Sequence, residues 1–485
     1  MMAETVFSNQ ITHQFVTEHN HVTDFISEMN ADVCFQNNPS GTGCHFDNYS
    51  FGEEFLDPDI RQNEALLIVD YDLTPAANVL YYQDRILNFY EVDGSAHIIP
   101  NESHVRVPKV FGDGITALKS THAIPTESAV ELANVISDTY GNNIPYATSH
   151  GLTVFAALAD HARNQPVVFL DISKAQLHKA IPEVFCAVQS AEDEVHLGQL
   201  KSYAEKIESE ITNLYKKHHI KFVNVSWGLV LNTIKSDWEN TCNSSVPDNL
   251  TLKAILDTYQ PVFKSLFGTA DVLATHAAYQ GTFNADFEIP FEWASEDFQN
   301  RMRVGVMGYL GNDIPLNGSA GRPHASEVSP ENLELVDLYL NSGCQLYSDY
   351  GCRSEDPLQL RIPYGLGTVA LPELNIQTSF VAPVGLAYFI NLRNSPAFCQ
   401  FEMNQSLINE IKAVILESCE GESACIFHDP LLTQGFNEPF DCEASDGTQP
   451  EKVPVDSKFG LVMLFMLVLI LSLRSFYQKS NSSHN

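Results

Sequence analysis

The sequence predicts an α/β domain built on a largely parallel sheet, and two kinds of observation carry that expectation. Short unbroken apolar runs end in an acid or in small residues, as strands buried on both faces do. Between and after them come apolar segments that open on a histidine or a serine, as helices do when their first turn faces a site.

The first run, Ala65-Leu66-Leu67-Ile68-Val69, ends in Asp70. It reads as a buried parallel strand with its carboxylate at the carboxyl edge, where open α/β sheets bind ligands. Asp72 stands two residues on and competes with Asp70 for any acid role. A long insertion from Glu91 to Asn143 follows, in which Phe111-Gly112-Asp113-Gly114 reads as a glycine-bearing turn. Ser149-His150-Gly151 then precedes Leu152, Val154, Phe155 and Leu158, which places His150 at the head of an apolar helix. A further short strand, Lys221 to Gly228, ends in Ser226-Trp227-Gly228, and its glycine lets a substrate backbone come close. Ile376-Gln377-Thr378-Ser379 leads into Val384, Leu386, Ala387, Phe389 and Ile390, an apolar helix with Pro383 expected in its first turn. The backbone N–H groups at such a helix start have no intrahelical partner, so an oxygen there faces donors suited to developing negative charge. Thr378-Ser379 is equally an ordinary N-cap when taken alone.

In the order Asp70, His150, Ser379 these segments resemble the subtilisin-like serine proteases. That family's serine segment runs Gly-Thr-Ser-x-Ala-Ala-Pro, which Thr378, Ser379, Ala382 and Pro383 match while Val381 replaces the first alanine. Its His-Gly-Thr-x-Val-Ala segment is matched by His150, Gly151 and Val154, and its Asn-x-Ser-x-Gly strand by Asn224, Ser226 and Gly228. Ser348-Asp349-Tyr350-Gly351 looks like the family's Ser-x-Tyr-Gly turn, and Arg303-Val304-Gly305-Val306 like the strand preceding it.

The resemblance implies a three-layer subtilisin-like domain over residues 65–395 and a serine endopeptidase acting on polypeptides. Ser379 would be the nucleophile, His150 the general base and Asp70 its orienting acid, with Ser226, Trp227 and Gly228 binding substrate. One oxyanion donor would be the Ser379 N–H, and the other the amide of Gln280, where the family carries asparagine, with Asn284 the fallback. Three departures point instead to a weakened or inactive peptide-binding pseudoenzyme: Gln377 replaces a glycine, Gln280 an asparagine, and Tyr71-Asp72 a small residue and glycine. The resemblance calls for no catalytic cofactor. Structural calcium is frequent in the family, but no contiguous Asp-x-Asp-x-Asp-Gly loop marks a site here, and no metal ligand is assigned.

Composition excludes one class of partner. With 27 basic and 61 acidic side chains in 485 residues, a formal charge of -34 repels phosphate backbones, so nucleic acid is not expected as a ligand. Ten cysteines without a Cys-x-x-Cys point to disulfides in an oxidising compartment. Cys34 and Cys44 form one close pair and Cys344 and Cys352 another, while Cys186 and Cys242 also read as buried thiols.

The uncharged run Phe459–Leu473, between Lys458 and Arg474, reads as a single membrane span, 458–478, with a short tail over 479–485. The positive-inside rule then puts Arg474 and Lys479 in the cytoplasm and the acidic domain outside. No signal peptide is visible at the start of the chain. Residues 1–64 read as an N-terminal extension or pro-segment remnant, and 396–457 as a cysteine-bearing extension and linker.

Overall fold

The structure, a computed structural model, describes residues 22–36, 44–57, 60, 63–102, 104–118, 149–159, 162, 165–278, 298–310, 322–323, 336–348, 351–352, 378–417 and 426–428. Thirteen strands lie among them. They are β1 (Phe46–Tyr49), β2 (Ala65–Asp70), β3 (Ile86–Val92), β4 (Ile98–Pro100), β5 (Val105–Pro108), β6 (Val167–Asp171) and β7 (Ile220–Val225). Then come β8 (Leu273–Ala277), β9 (Arg301–Leu310), β10 (Arg322–Pro323), β11 (Leu338–Ser348), β12 (Gly351–Cys352) and β13 (Ile426–His428).

Among the described residues β1 pairs only with β5, and the other strands form one mixed, mostly parallel sheet. Its heart is a parallel run in the spatial order β3, β6, β2, β7, β8, β9, β11. Antiparallel β4 and β12 continue it at the two sides, Ser348 of β11 standing opposite Gly351 of β12.

The apolar runs occupy the middle of this sheet because both of its faces are covered. All six residues of β2 are buried. Leu67 and Val69 enter one hydrophobic cluster with the helices Glu194–His218, Leu231–Thr241, Asn249–Asp257 and Gln260–Phe267. Leu66 and Ile68 enter the other, with the helices His150–Ala159, Thr378–Arg393 and Gln405–Glu417. Alternation along a strand thus feeds two cores, and each fully buried Leu or Ile contributes about 1.5–3 kcal/mol. Phe398, Met403, Leu407, Ile408, Ile411 and Ile415 belong to the same core as the Thr378–Arg393 helix.

Two local readings are corrected. Phe111-Gly112-Asp113-Gly114 is helical, within Lys109–Leu118. Its glycines serve close packing, since a Cβ on Gly112 would run into Tyr49 and one on Gly114 into Phe25. Phe25 belongs to the helical residues 22–31, which bury Val22, Ile26 and Met29 against Leu80, Val105, Val107 and Phe111. Pro383 is not in a first turn; it lies inside the Thr378–Arg393 helix, five residues past its start.

Cys186 and Cys242 are joined in a disulfide, as are Cys34 and Cys44. The first pair closes a separation of 56 residues, for which the chain-entropy model assigns about 4 kcal/mol. Among the described residues, no helix is long and apolar enough to cross a membrane, and the expected span 458–478 lies outside them.

Candidate active site

Strand order places the crevice. In chain order the seven parallel strands begin with β2, pass to β3 and β6 on one side, and then cross to β7 and beyond on the other. The border between β2 and β7 is therefore a topological switch point, where connections diverge and leave an opening at the carboxyl ends. Asp70 ends β2 there, and Ser226 follows β7 directly.

Asp70 is fully buried, and a carboxylate in that position needs hydrogen-bond donors. It accepts from the Tyr71 N–H at 2.7 Å, and both of its oxygens lie near His150 Nδ1, at 2.8 and 3.0 Å. This assigns the Nδ1 proton to the carboxylate side and leaves Nε2 as the acceptor. The His150 side chain is 38% exposed, so it can still meet a ligand. Burial depresses its pKa, but the hydrogen bond that its Nδ1–H donates to Asp70 and the charge of that carboxylate together outweigh this and hold it above the ordinary value.

The short approach depends on a missing side chain. A Cβ on Gly151 would stand 2.6 Å from Leu73 Cδ2 and 2.8 Å from Asp70 Cβ. At its other end the histidine helix is tied down by Arg85, whose guanidinium donates to the carbonyl of Ala159 at 2.7 Å and to that of Ala162. A cation suits the exposed carbonyls of a helix C-terminus.

The loop after Asp70 is braced by Asp171, at the same register on β6. Asp171 accepts from the N–H groups of Leu73 at 3.0 Å and Ser173 at 2.7 Å. Asp72 adopts a left-handed conformation, with φ 55, and its N–H donates to Ser173 Oγ at 3.2 Å. It is exposed, and the hydrogen bonds to His150 come from Asp70. Asp171 was not singled out by the sequence, although Val167-Val168-Phe169-Leu170 before it repeats the apolar-run-then-acid pattern of β2.

The serine helix enters the same crevice. Phe380 lies against the His150 ring, with centroids 5.3 Å apart. The Ser379 hydroxyl donates to the carbonyl of Ser226 at 3.2 Å, and no hydrogen bond joins it to His150 among the described residues. In return the Ser226 hydroxyl donates to the carbonyl of Ser379 at 2.7 Å. The Trp227 ring is buried against Phe263 and Tyr71, so of the Ser226-Trp227-Gly228 segment it is the exposed Gly228 that presents backbone to solvent. The Trp227 carbonyl is 2.9 Å from His276 Nε2, which ties this segment to β8.

Gln280, Asn284 and Gln377 lie outside the described residues. Among the described residues, no group of three His, Cys, Asp or Glu side chains could hold a metal ion. No family model, curated protein or solved structure matches the chain.

Proposed function

We propose that the chain is a subtilisin-like serine endopeptidase. The observation that carries this reading is a buried Asp70 carboxylate held on His150 Nδ1, at the switch point of a parallel sheet, beside a helix that carries Ser379 in its first turn. The three residues lie on different elements, far apart in the chain, and the segments around each match part of the family's motif.

On this reading Ser379 Oγ turns from the Ser226 carbonyl to His150 Nε2 and attacks the scissile carbonyl carbon as Nε2 takes its proton. The imidazolium, favoured by Asp70, then gives that proton to the leaving amine as the C–N bond breaks. Water repeats the sequence on the acyl-enzyme: it loses a proton to Nε2 and releases the acid, and Ser379 regains its hydrogen. The Ser379 N–H, one of the helix-start donors that have no intrahelical partner, is one donor for the oxyanion, and the amide of Gln280 or Asn284 is the proposed second. Gly228 offers exposed backbone for an extended substrate. The uncharged run 459–473 supports a membrane-tethered form with this domain on the extracytoplasmic side, and the two disulfides agree with that side.

A second reading, a peptide-binding pseudoenzyme, is favoured by one observation: the Ser379 hydroxyl is given to the Ser226 carbonyl and not to the imidazole. A fluorophosphonate probe decides between them. Wild type labelled and Ser379→Ala unlabelled supports the protease; folded wild type left unlabelled selects the pseudoenzyme.

A further inference from the structure

We propose that Thr275, Asn224 and Ser226 form a buried hydrogen-bonded relay that positions the backbone of Ser379, and that the relay stands in for a donor that Pro383 removes. The proposal rests on the reading of Ser379 as nucleophile, and deepens it.

In an α-helix the carbonyl of residue 379 would accept from the N–H of residue 383. Residue 383 is proline, which has none, so the regular helical bond to the Ser379 carbonyl is not made. The Ser226 hydroxyl does so instead, at 2.7 Å from β7's end. Having spent its single proton there, the Ser226 oxygen is an acceptor toward the rest of its surroundings. Asn224 Nδ2 donates to it at 2.9 Å, and Thr275 Oγ1 donates to Asn224 Oδ1 at 3.2 Å. Every link runs in one direction, from Thr275 on β8 through Asn224 on β7 to Ser226 and the serine helix.

Thr275 and Asn224 are fully buried and Ser226 nearly so. In such a place a missing link is not made good by bulk solvent, and the remaining members lose partners they cannot replace. The far end of the relay is reciprocal, because the Ser379 hydroxyl rests on the Ser226 carbonyl. One residue therefore restrains the backbone of the nucleophile and holds its hydroxyl at rest. Ser226 is a positioning residue, acting through Ser379.

A four-protein cycle tests this: wild type, Ser226→Ala, Pro383→Ala and the double variant, each read by thermal midpoint and by the second-order rate of fluorophosphonate labelling. With Pro383 present, Ser226→Ala should lower the midpoint by roughly 1–3 °C. It should also slow labelling by about 10–100-fold, the cost of a misplaced reacting group. Pro383→Ala returns an N–H to the helix, so in that background Ser226→Ala should lose less than half as much on both measures. Ser226→Thr, which keeps the hydroxyl, should label within about threefold of wild type. Additive effects across the cycle, or labelling by Ser226→Ala at the wild-type rate, would overturn the relay. Wild type that does not label at all defeats the nucleophile reading alone: non-additive midpoints would then still support the relay, and additive midpoints would overturn it.

Discussion

His150 and His218 are two partly or wholly buried histidines of one domain, and their surroundings drive them in opposite directions. His150 opens a helix at the carboxyl end of β2, with Nδ1 against the Asp70 carboxylate, and its pKa is raised because that partner outweighs burial. His218 ends the helix that leads into β7, and burial together with the neighbouring charges of Lys217 and His219 lowers its pKa to about 4. Its Nε2 lies 2.7 Å from the Tyr90 hydroxyl, which accepts from Lys217 Nζ at 2.8 Å and so offers its own proton to the imidazole. Burial alone disfavours both imidazolium ions; what separates the two sites is whether the hydrogen-bond partner is an anion or a neutral hydroxyl beside a cation. The first arrangement can gain a proton during a reaction, and the second is built to stay neutral.

The sharpest way to break the comparison is to discharge the anion. Asp70→Asn should reduce fluorophosphonate labelling by about 10⁴-fold, because the imidazole loses its tautomer and the support for its charge. The acid limb of the wild-type labelling rate should lie above pH 6.5, the usual imidazole value, and should move to lower pH in the residual activity of the variant. An unchanged limb would show that Asp70 does not govern His150.

Separating the helix from the strand should come next in size. Gly151→Ala places a methyl group against Leu73 and Asp70, with an expected destabilisation of about 1–3 kcal/mol. Labelling should fall by about 10²-fold as the Asp70–His150 contact opens. Thermal unfolding and labelling kinetics measured together check this; a stable variant with a wild-type rate would show that the close approach is dispensable.

At the other site, Tyr90→Phe removes the proton offered to His218 and should cost about 1–3 kcal/mol, since a buried acceptor loses its donor, while labelling stays at the wild-type rate. The stability of the two sites should also depend on pH with opposite sign. His150 has a raised folded pKa, so its contribution is present below about pH 6.5 and is lost as pH rises through the folded value. His218 has a lowered one, so its contribution is present above about pH 6.5 and is lost as pH falls toward about 4. Ring-proton NMR titration of the two histidines reads both directions, and titration of the pair in the same range would collapse the contrast.

The smallest effect belongs to the loop between the strand and the helix. Asp72→Gly relieves a left-handed conformation at φ 55, offset in part by the freer unfolded chain. A gain of up to about 1 kcal/mol in unfolding free energy is expected, with labelling unchanged. This is the position at which the family resemblance expects glycine, and the backbone retains the glycine-like conformation without the residue.

Much of this site was legible in the chain because it depends on local pattern. Six successive buried residues can only be accommodated as Ala65–Asp70 is, covered on both faces, and apolar segments behind His150 and Ser379 specify helices whatever they pack against. Phe111–Gly114 misled because glycine pairs suggest turns, whereas here they admit Tyr49 and Phe25 from a distant segment. Asp171 carried the same signal as Asp70, but nothing local distinguishes an acid that orients a histidine from one that braces a loop.

The amino-acid order by itself pointed to the buried strand Ala65–Asp70, to the strand that leads to Ser226, and to the helices headed by His150 and Thr378-Ser379, because apolar periodicity and the unpaired donors of a first turn are properties of short stretches. Tertiary structure alone decided that Asp70 meets His150, that Cys186 meets Cys242, and that Ser226 answers the carbonyl orphaned by Pro383. Those are contacts between elements tens to hundreds of residues apart, set by the order of strands in the sheet and by the space that Gly151 leaves open.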